Sequence, residues 1–147
     1  MGDEEPPVQN SLTSLLEEQF QKCADNTAVV LPATECAGKI AVGGCCKYDE
    51  LRRFSMEVAL YLQQQAPSRK PHGGGGQIVV GIRCERGLAM VEAMMGCIMS
   101  RCCTILPLEP STALELCVLQ IERSSCSILL SERTLLHDPM LDALKER

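Results

Sequence analysis

Tryptophan is missing from this 147-residue chain, and its aromatic side chains are two phenylalanines and two tyrosines, Phe20, Phe54, Tyr48 and Tyr61. Stacked bases would find few platforms on such a surface. A basic excess is missing too: 14 Lys and Arg stand against 19 Asp and Glu, a net charge of −5. Phosphate backbones are met by fields of lysine and arginine, so a nucleic-acid partner is excluded. Long hydrophobic runs are also absent. The longest, residues 88–99, is interrupted by Glu92 and falls short of the roughly 20 residues that cross a bilayer. The chain opens on acidic, proline-bearing residues, without the basic start and apolar run of a secretory signal, which points to the cytoplasm. Histidine is scarce. His72 and His137 lie in loop-like surroundings, and no Gly-x-Ser-x-Gly elbow exists to present a nucleophilic serine.

Cysteine, by contrast, is abundant, at positions 23, 36, 45, 46, 84, 97, 102, 103, 117 and 126. No two are separated by two residues, so the paired-ligand spacing of a zinc ribbon is lacking. The adjacent pairs 45/46 and 102/103 point their side chains apart where the backbone is extended. Most of the others fall inside apolar periodic stretches, where a free cysteine acts as a small hydrophobe. Reduced packing residues are the expectation in a cytoplasmic protein, with a metal or redox cluster as the alternative.

Periodicity divides the chain. Residues 1–10 read as a disordered leader. A helix is predicted over 11–24, capped by Ser11, with Leu12, Leu15, Leu16, Gln19 and Phe20 as its apolar stripe and Glu17 and Glu18 on the polar side. Residues 27–31 form a short β-type run ended by Pro32, and the stretch rich in Ala, Gly and Cys up to Cys46 suits a weak hairpin. The clearest helix covers 48–65. Leu51, Phe54, Val58 and Leu62 share its inner face, while Arg52, Arg53 and Glu57 turn outward. After a loop over 66–76, residues 77–83 form a strand of continuous apolar character, as expected where both faces are covered. Residues 86–101 form a helix apolar nearly all round, and residues 103–108 a strand stopped by Pro107 and Pro110. A helix opened by Ser111 runs to about 123 with Leu114, Val118 and Ile121 inward, and residues 127–130 form a last strand. From 77 to 130 strand and helix alternate at βαβ spacing, which predicts an α/β fold with a parallel, right-handed sheet layer and flanking helices. Residues 11–131 make up this α/β subdomain, and 132–147 a loose charged tail broken by Pro139.

Two segments invite a ligand-binding reading. Glycines 73–76 resemble phosphate-loop material, and Gly76 and Gly81 enclose four residues as in a P-loop. Ile82 and Arg83 then stand where Lys and Ser or Thr belong. A phosphate cradle also needs its glycines after a strand and before a helix. Here Gln77-Ile78-Val79-Val80 follows them as strand, so the tetraglycine reads as a connection. The turn Arg83-Cys84-Glu85-Arg86-Gly87 is better placed, because open α/β sheets bind ligands beyond the carboxyl ends of their strands. Arg83 or Arg86 could there meet a carboxylate or phosphate, but the favoured reading is a solvated polar turn that starts the buried helix.

The order of these elements resembles the start of the adenylate-forming superfamily, which includes acyl-CoA synthetases, luciferases and peptide-synthetase adenylation domains. Tyr48-Asp49-Glu50-Leu51 is similar to the family's Tyr-x-Glu-Leu segment opening a helix. Residues 77–82 followed by the helix over 87–100 match its apolar strand and buried helix. Ile105-Leu106-Pro107-Leu108-Glu109-Pro110 matches its Pro-(Leu/Ile)-(Asp/Glu)-Pro segment, and Leu114 onward its next helix and strand. Glu109 together with the Cys84 turn looks most like the beta-alanine-activating branch of the acyl-CoA synthetases. In one respect the chain departs from the pattern: the family closes its buried helix on a glycine, where this chain has Cys102 beside Arg101.

The resemblance implies an AMP-forming ligase. Such an enzyme uses ATP and Mg to adenylate a carboxylate, then passes the acyl group to a thiol. In that family the Ser/Thr/Gly-rich phosphate loop, the acyl pocket, the acidic residues for ribose and magnesium, and the adenylation lysine all follow the fourth strand. The sequence to Arg147 reaches none of them. The expectation is therefore an amino-terminal fragment or short isoform, inactive alone, with no residue assigned to catalysis, cofactor binding or metal. The alternatives are a non-catalytic interaction protein, docking on a full-length relative or carrier domain, and a cysteine-based metal or redox protein.

Overall fold

The computed structural model describes residues 11–36, 39–41, 43–66 and 77–132. The leader, the tetraglycine with His72, and the tail with His137 lie outside them. Helix α1 (Leu12–Lys22) starts as expected, with the Ser11 hydroxyl accepting from the Ser14 N–H at 3.2 Å. Its buried side differs from the predicted stripe. Thr13 and Phe20 are buried and Leu16 and Glu17 half-buried, whereas Leu12 and Leu15 are 60% and 47% exposed and Gln19 is exposed. The cause is Glu17, which accepts from Arg52 Nε at 3.1 Å and so turns toward the next helix.

Strand β1 (Thr27–Val30) pairs antiparallel with β4 (Cys45–Lys47), and β2 (Thr34–Cys36) pairs with β3 (Lys39–Ala41) between them. The weak hairpin expected here is thus a hairpin set inside a second antiparallel ribbon. Helix α2 (Tyr48–Gln65) follows β4 directly. Its opening explains why the Tyr-Asp-Glu-Leu segment suits a helix start. The Glu50 carboxylate accepts the Lys47 N–H at 2.9 Å, satisfying an orphan donor of the first turn, and Asp49 and Glu50 face the positive end of the helix dipole. The Tyr48 ring meets Phe20 edge-on at 6.2 Å, and Leu51 is buried. Leu51 and Leu62 face inward as expected, but Ser55 and Ala59 complete the buried face and Phe54 lies outside it, under the Arg53 guanidinium. Small residues hold that face because helix α3 (Leu88–Ser100) lies close against it. A Cβ added to Gly96 would sit 2.5 Å from Val58 Cβ and 2.9 Å from the Ser55 carbonyl oxygen.

Strands β5 (Ile78–Arg83), β6 (Cys103–Pro107) and β7 (Cys126–Ser131) form the parallel sheet, in the order β6-β5-β7, with α3 and α4 (Leu114–Ser124) as its connections. Alternation along β5 sends Ile78, Val80 and Ile82 to one face, where they pack with Leu62, Ala93, Cys97 and Ile128. A second core joins Phe20, Cys46, Leu51, Ala59 and Met99, with Leu88 and Val91 against it. Helix α3 contributes to both cores, which accounts for a sequence apolar almost all round. On the other face of β5, Gly81 lies against Leu129, Cys126 and Leu108, and Arg83 reaches Cys117 of α4. Helix α4 begins at Leu114, three residues after the predicted Ser111, because the Thr112 N–H is drawn into a turn on the Glu109 carbonyl at 3.0 Å.

Candidate functional site

The carboxyl ends of β5 and β6 open onto a cleft of about 790 Å³, floored by Ile82, Ile105 and Pro107 and walled by Met90 and Met94 of α3. The cleft lies at the strand ends beyond which open α/β sheets bind ligands, and the two arginines of the turn take different places around it. Arg83 does not face the cleft. As the last residue of β5 it points to the α4 side, where it is 3% exposed. Its guanidinium donates to the Glu109 and Pro110 carbonyl oxygens at 3.0 Å each and toward Cys117 Sγ at 3.4 Å. A fork of this kind holds two successive carbonyls in fixed geometry. Arg83 is therefore the strap that fixes the Pro107-Leu108-Glu109-Pro110 segment beside the sheet.

The rest of that segment is held in the same way. Leu108 is buried at 2% exposure, its N–H bonded to the Ile82 carbonyl at 2.9 Å and its side chain against Gly81. The Glu109 carboxylate turns outward and accepts from Arg86 at 3.1 Å across the mouth of the cleft. The carboxylate that Arg86 meets belongs to the chain itself. With side chains 86% and 57% exposed, this pair is a rim contact contributing well under about 1 kcal/mol. Cys84 also lines the cleft. Burial, and next the Glu132 carboxylate, push its thiol above the ordinary value, so it is held as an unreactive thiol. Among the described residues, the cleft offers an apolar slot with the Arg86–Glu109 ion pair at its lip. The signal for this apolar wall was in the sequence, as Met90 and Met94, which lie one helical turn apart in the apolar stretch of α3.

Of the nine described cysteines, all free, Cys46, Cys84, Cys97 and Cys117 are buried as packing residues, four are half-buried and Cys45 is exposed. Among the described residues, no group of three or more His, Cys, Asp or Glu side chains is placed to hold a metal ion. The pair Cys102/Cys103 departs from expectation. Its sulfurs do not diverge, because Arg101 takes the left-handed conformation (φ 58°) and curls the chain before β6 begins. Cys102 Sγ donates to Ser100 Oγ at 3.4 Å, while Cys103 Sγ lies 3.3 Å from the same oxygen. Arg101 itself is exposed, and the residue in the glycine-favouring conformation is Arg101 rather than Cys102.

Among solved structures, this α/β arrangement is shared with AMP ligases and nonribosomal peptide synthetases. In particular, the fatty acid AMP ligase from Legionella pneumophila superposes with a TM-score of 0.65 at 19% identity, over 93% of this chain and 21% of that one. The peptide synthetase FmoA3, solved with α-methyl-L-serine-AMP bound, gives 0.68 at 20% identity over 91% of this chain and 13% of that one. A second FmoA3 structure gives 0.66 at 20% identity, over 86% and 12% respectively. At such identities the likeness is one of fold. The chain spans about a fifth or less of the length of the structures it matches. No protein-family model and no curated protein matches the sequence. No helix among the described residues is long and apolar enough to cross a membrane.

Proposed function

We propose that the chain is an amino-terminal piece of an AMP-forming acyl- or amino-acid-activating ligase, that it supplies a scaffold layer of that enzyme in the cytoplasm, and that alone it does not turn over ATP. The observation that carries this reading is the match of the β6-β5-β7 sheet and its helices, over nine-tenths of the chain, to an AMP ligase. The way Glu50, Arg83 and Leu108 serve the fold supports it further: the segments resembling the family's motifs are architectural here. Phosphoryl and adenylyl chemistry needs preorganised donors around the developing charge. The beta-alanine-activating branch is the finer assignment, resting on Glu109 and the Cys84 turn. Isothermal titration of the 147-residue protein with MgATP is expected to show no heat of binding in the micromolar range. Micromolar binding, or pyrophosphate release with any carboxylic acid, would end this reading.

A second reading, a non-catalytic interaction protein docking on a longer relative or a carrier domain, is favoured by Leu12 and Leu15 on α1 and Leu116 and Leu119 on α4. All four are at least 40% exposed. Size-exclusion chromatography returning a compact, inert monomer counts against it.

A further inference from the structure

The cleft at the carboxyl ends of β5 and β6 joins an apolar interior to an acidic lip. Its wall on the α3 side is made of Met90 and Met94, and Met94 is 39% exposed. Methionine side chains are unbranched and polarisable, so they close around apolar bodies of differing shape. Ile82, Ile105 and Pro107 lie beneath them as the floor. At about 790 Å³ the space is of the size that takes a small organic molecule.

Charge decides what such a molecule carries at its other end. Two carboxylates line the cleft, Glu85 and Glu109, against one guanidinium, Arg86. Arg86 is already engaged by Glu109 at 3.1 Å. A third carboxylate, Glu132, stands against the lip, where it accepts the Glu85 N–H at 2.6 Å. Among the described residues, three carboxylates against one guanidinium leave the lip an excess of two negative charges. We propose that the cleft binds small amphiphilic amines, the alkyl chain lying between the two methionines and the sheet and the ammonium meeting Glu85 and Glu109. Both carboxylates are exposed, so the ammonium keeps part of its water while it gains two acceptors. A carboxylate head on the same chain would find Arg86 already engaged and would be repelled by its neighbours; complementarity of this kind sets selectivity more than affinity. The binding does not rest on the ligase reading, because a ligase of that class acts on a carboxylate whereas this lip selects a cation.

Octylamine, octanol and octanoate share one alkyl chain and differ in head group, so titrating the 147-residue protein with each reads the selectivity directly. At neutral pH octylamine is protonated, as a lysine side chain is. It is expected to bind saturably, about threefold to tenfold more tightly than octanol, with octanoate weakest, the margin that a few exposed charge contacts give. High salt should remove most of that margin and spare octanol. Glu85→Gln combined with Glu109→Gln should bring octylamine down to octanol. Met94→Ser, at an exposed position, should weaken octylamine and octanol alike. The ranking on the unaltered protein stands whether or not the variants fold. Octanol or octanoate binding as tightly as octylamine, octylamine failing to saturate, an amine preference surviving the double glutamine variant, or binding untouched by Met94→Ser overturns the assignment.

Discussion

Among the described residues, two outside glycine adopt positive φ, Arg101 (58°) and Ser125 (55°), and each closes a sheet-connecting helix. A left-handed residue at this place turns the chain away from the helix axis and ties its N–H to the last carbonyls. Ser125 N–H does so on Glu122 at 3.2 Å and Arg101 N–H on Ile98 at 3.3 Å. For a side chain bearing Cβ, that conformation costs about 1–2 kcal/mol. Replacing Arg101 by glycine removes the cost, while the freer unfolded chain takes back about 0.4–1 kcal/mol. Arg101→Gly is therefore expected to stabilise by about 0.5–1 kcal/mol, with the Arg101 side chain being exposed and its loss cheap. Urea unfolding at unchanged slope would register this as a higher midpoint; a lower one would mean that Arg101 makes a stabilising contact outweighing its strain. The sequence located this turn to within one residue. What it could not locate is which residue bends, because that depends on Ser100 and Cys103 both finding the Cys97 carbonyl, a contact made only once helix and strand have docked.

At the scale of elements, period and punctuation were legible: all three parallel strands, the four helices and the nested hairpin region follow from apolar spacing and from prolines. The direction each helix faces was legible only in part. Leu12, Leu15 and Phe54 satisfy an amphipathic pattern yet lie outside, because a helix buries the face its neighbour can approach, and small residues permit closer approach than large ones. Helices α2 and α3 meet at Gly96, Val58 and Ser55, and there the buried Ser55 hydroxyl has no hydrogen-bond partner among the described residues. Gly96→Ala would press a methyl against Val58 Cβ and the Ser55 carbonyl, neither of which is a flexible chain end. The two helices would have to part, and overpacking of this kind costs about 1–3 kcal/mol. Thermal unfolding should show that loss, and adding Val58→Ala should recover part of it by emptying the space the methyl needs. Simple addition of the two losses would show that the contact does not set the helix separation. The cleft was legible as a sheet edge but not as a slot, since its walls come from α3 and the Glu109 loop, which Arg83 straps into place from the opposite face.

Taken as a whole, the molecule is stabilised by thiols that stay protonated, and this fixes how it responds to alkali. Burial raises Cys46, with Glu50 and Glu92 adding to it; burial and then Glu132 raise Cys84; and donation to Cys103, with burial, raises Cys97. In the unfolded chain each returns to about its ordinary value of 9.0. Above that value the unfolded state releases protons that the folded state retains, so the slope of stability against pH is negative. The stabilisation is complete below pH 9 and is lost as pH climbs from there toward the raised folded values. Cys103 works in the opposite sense and over a different window: lowered to about 6 from 9.0, it adds stability as pH rises from 6 to 9 and nothing beyond. Urea midpoints measured in reductant should therefore hold or rise from pH 6.5 to 8.5 and fall steadily from pH 9 to 10.5. Cys84→Ala should flatten the falling limb while leaving the rest of the curve in place. A midpoint still rising above pH 9 would mean that these thiols ionise in the folded protein, and that the two apolar cores are wetter than their packing implies.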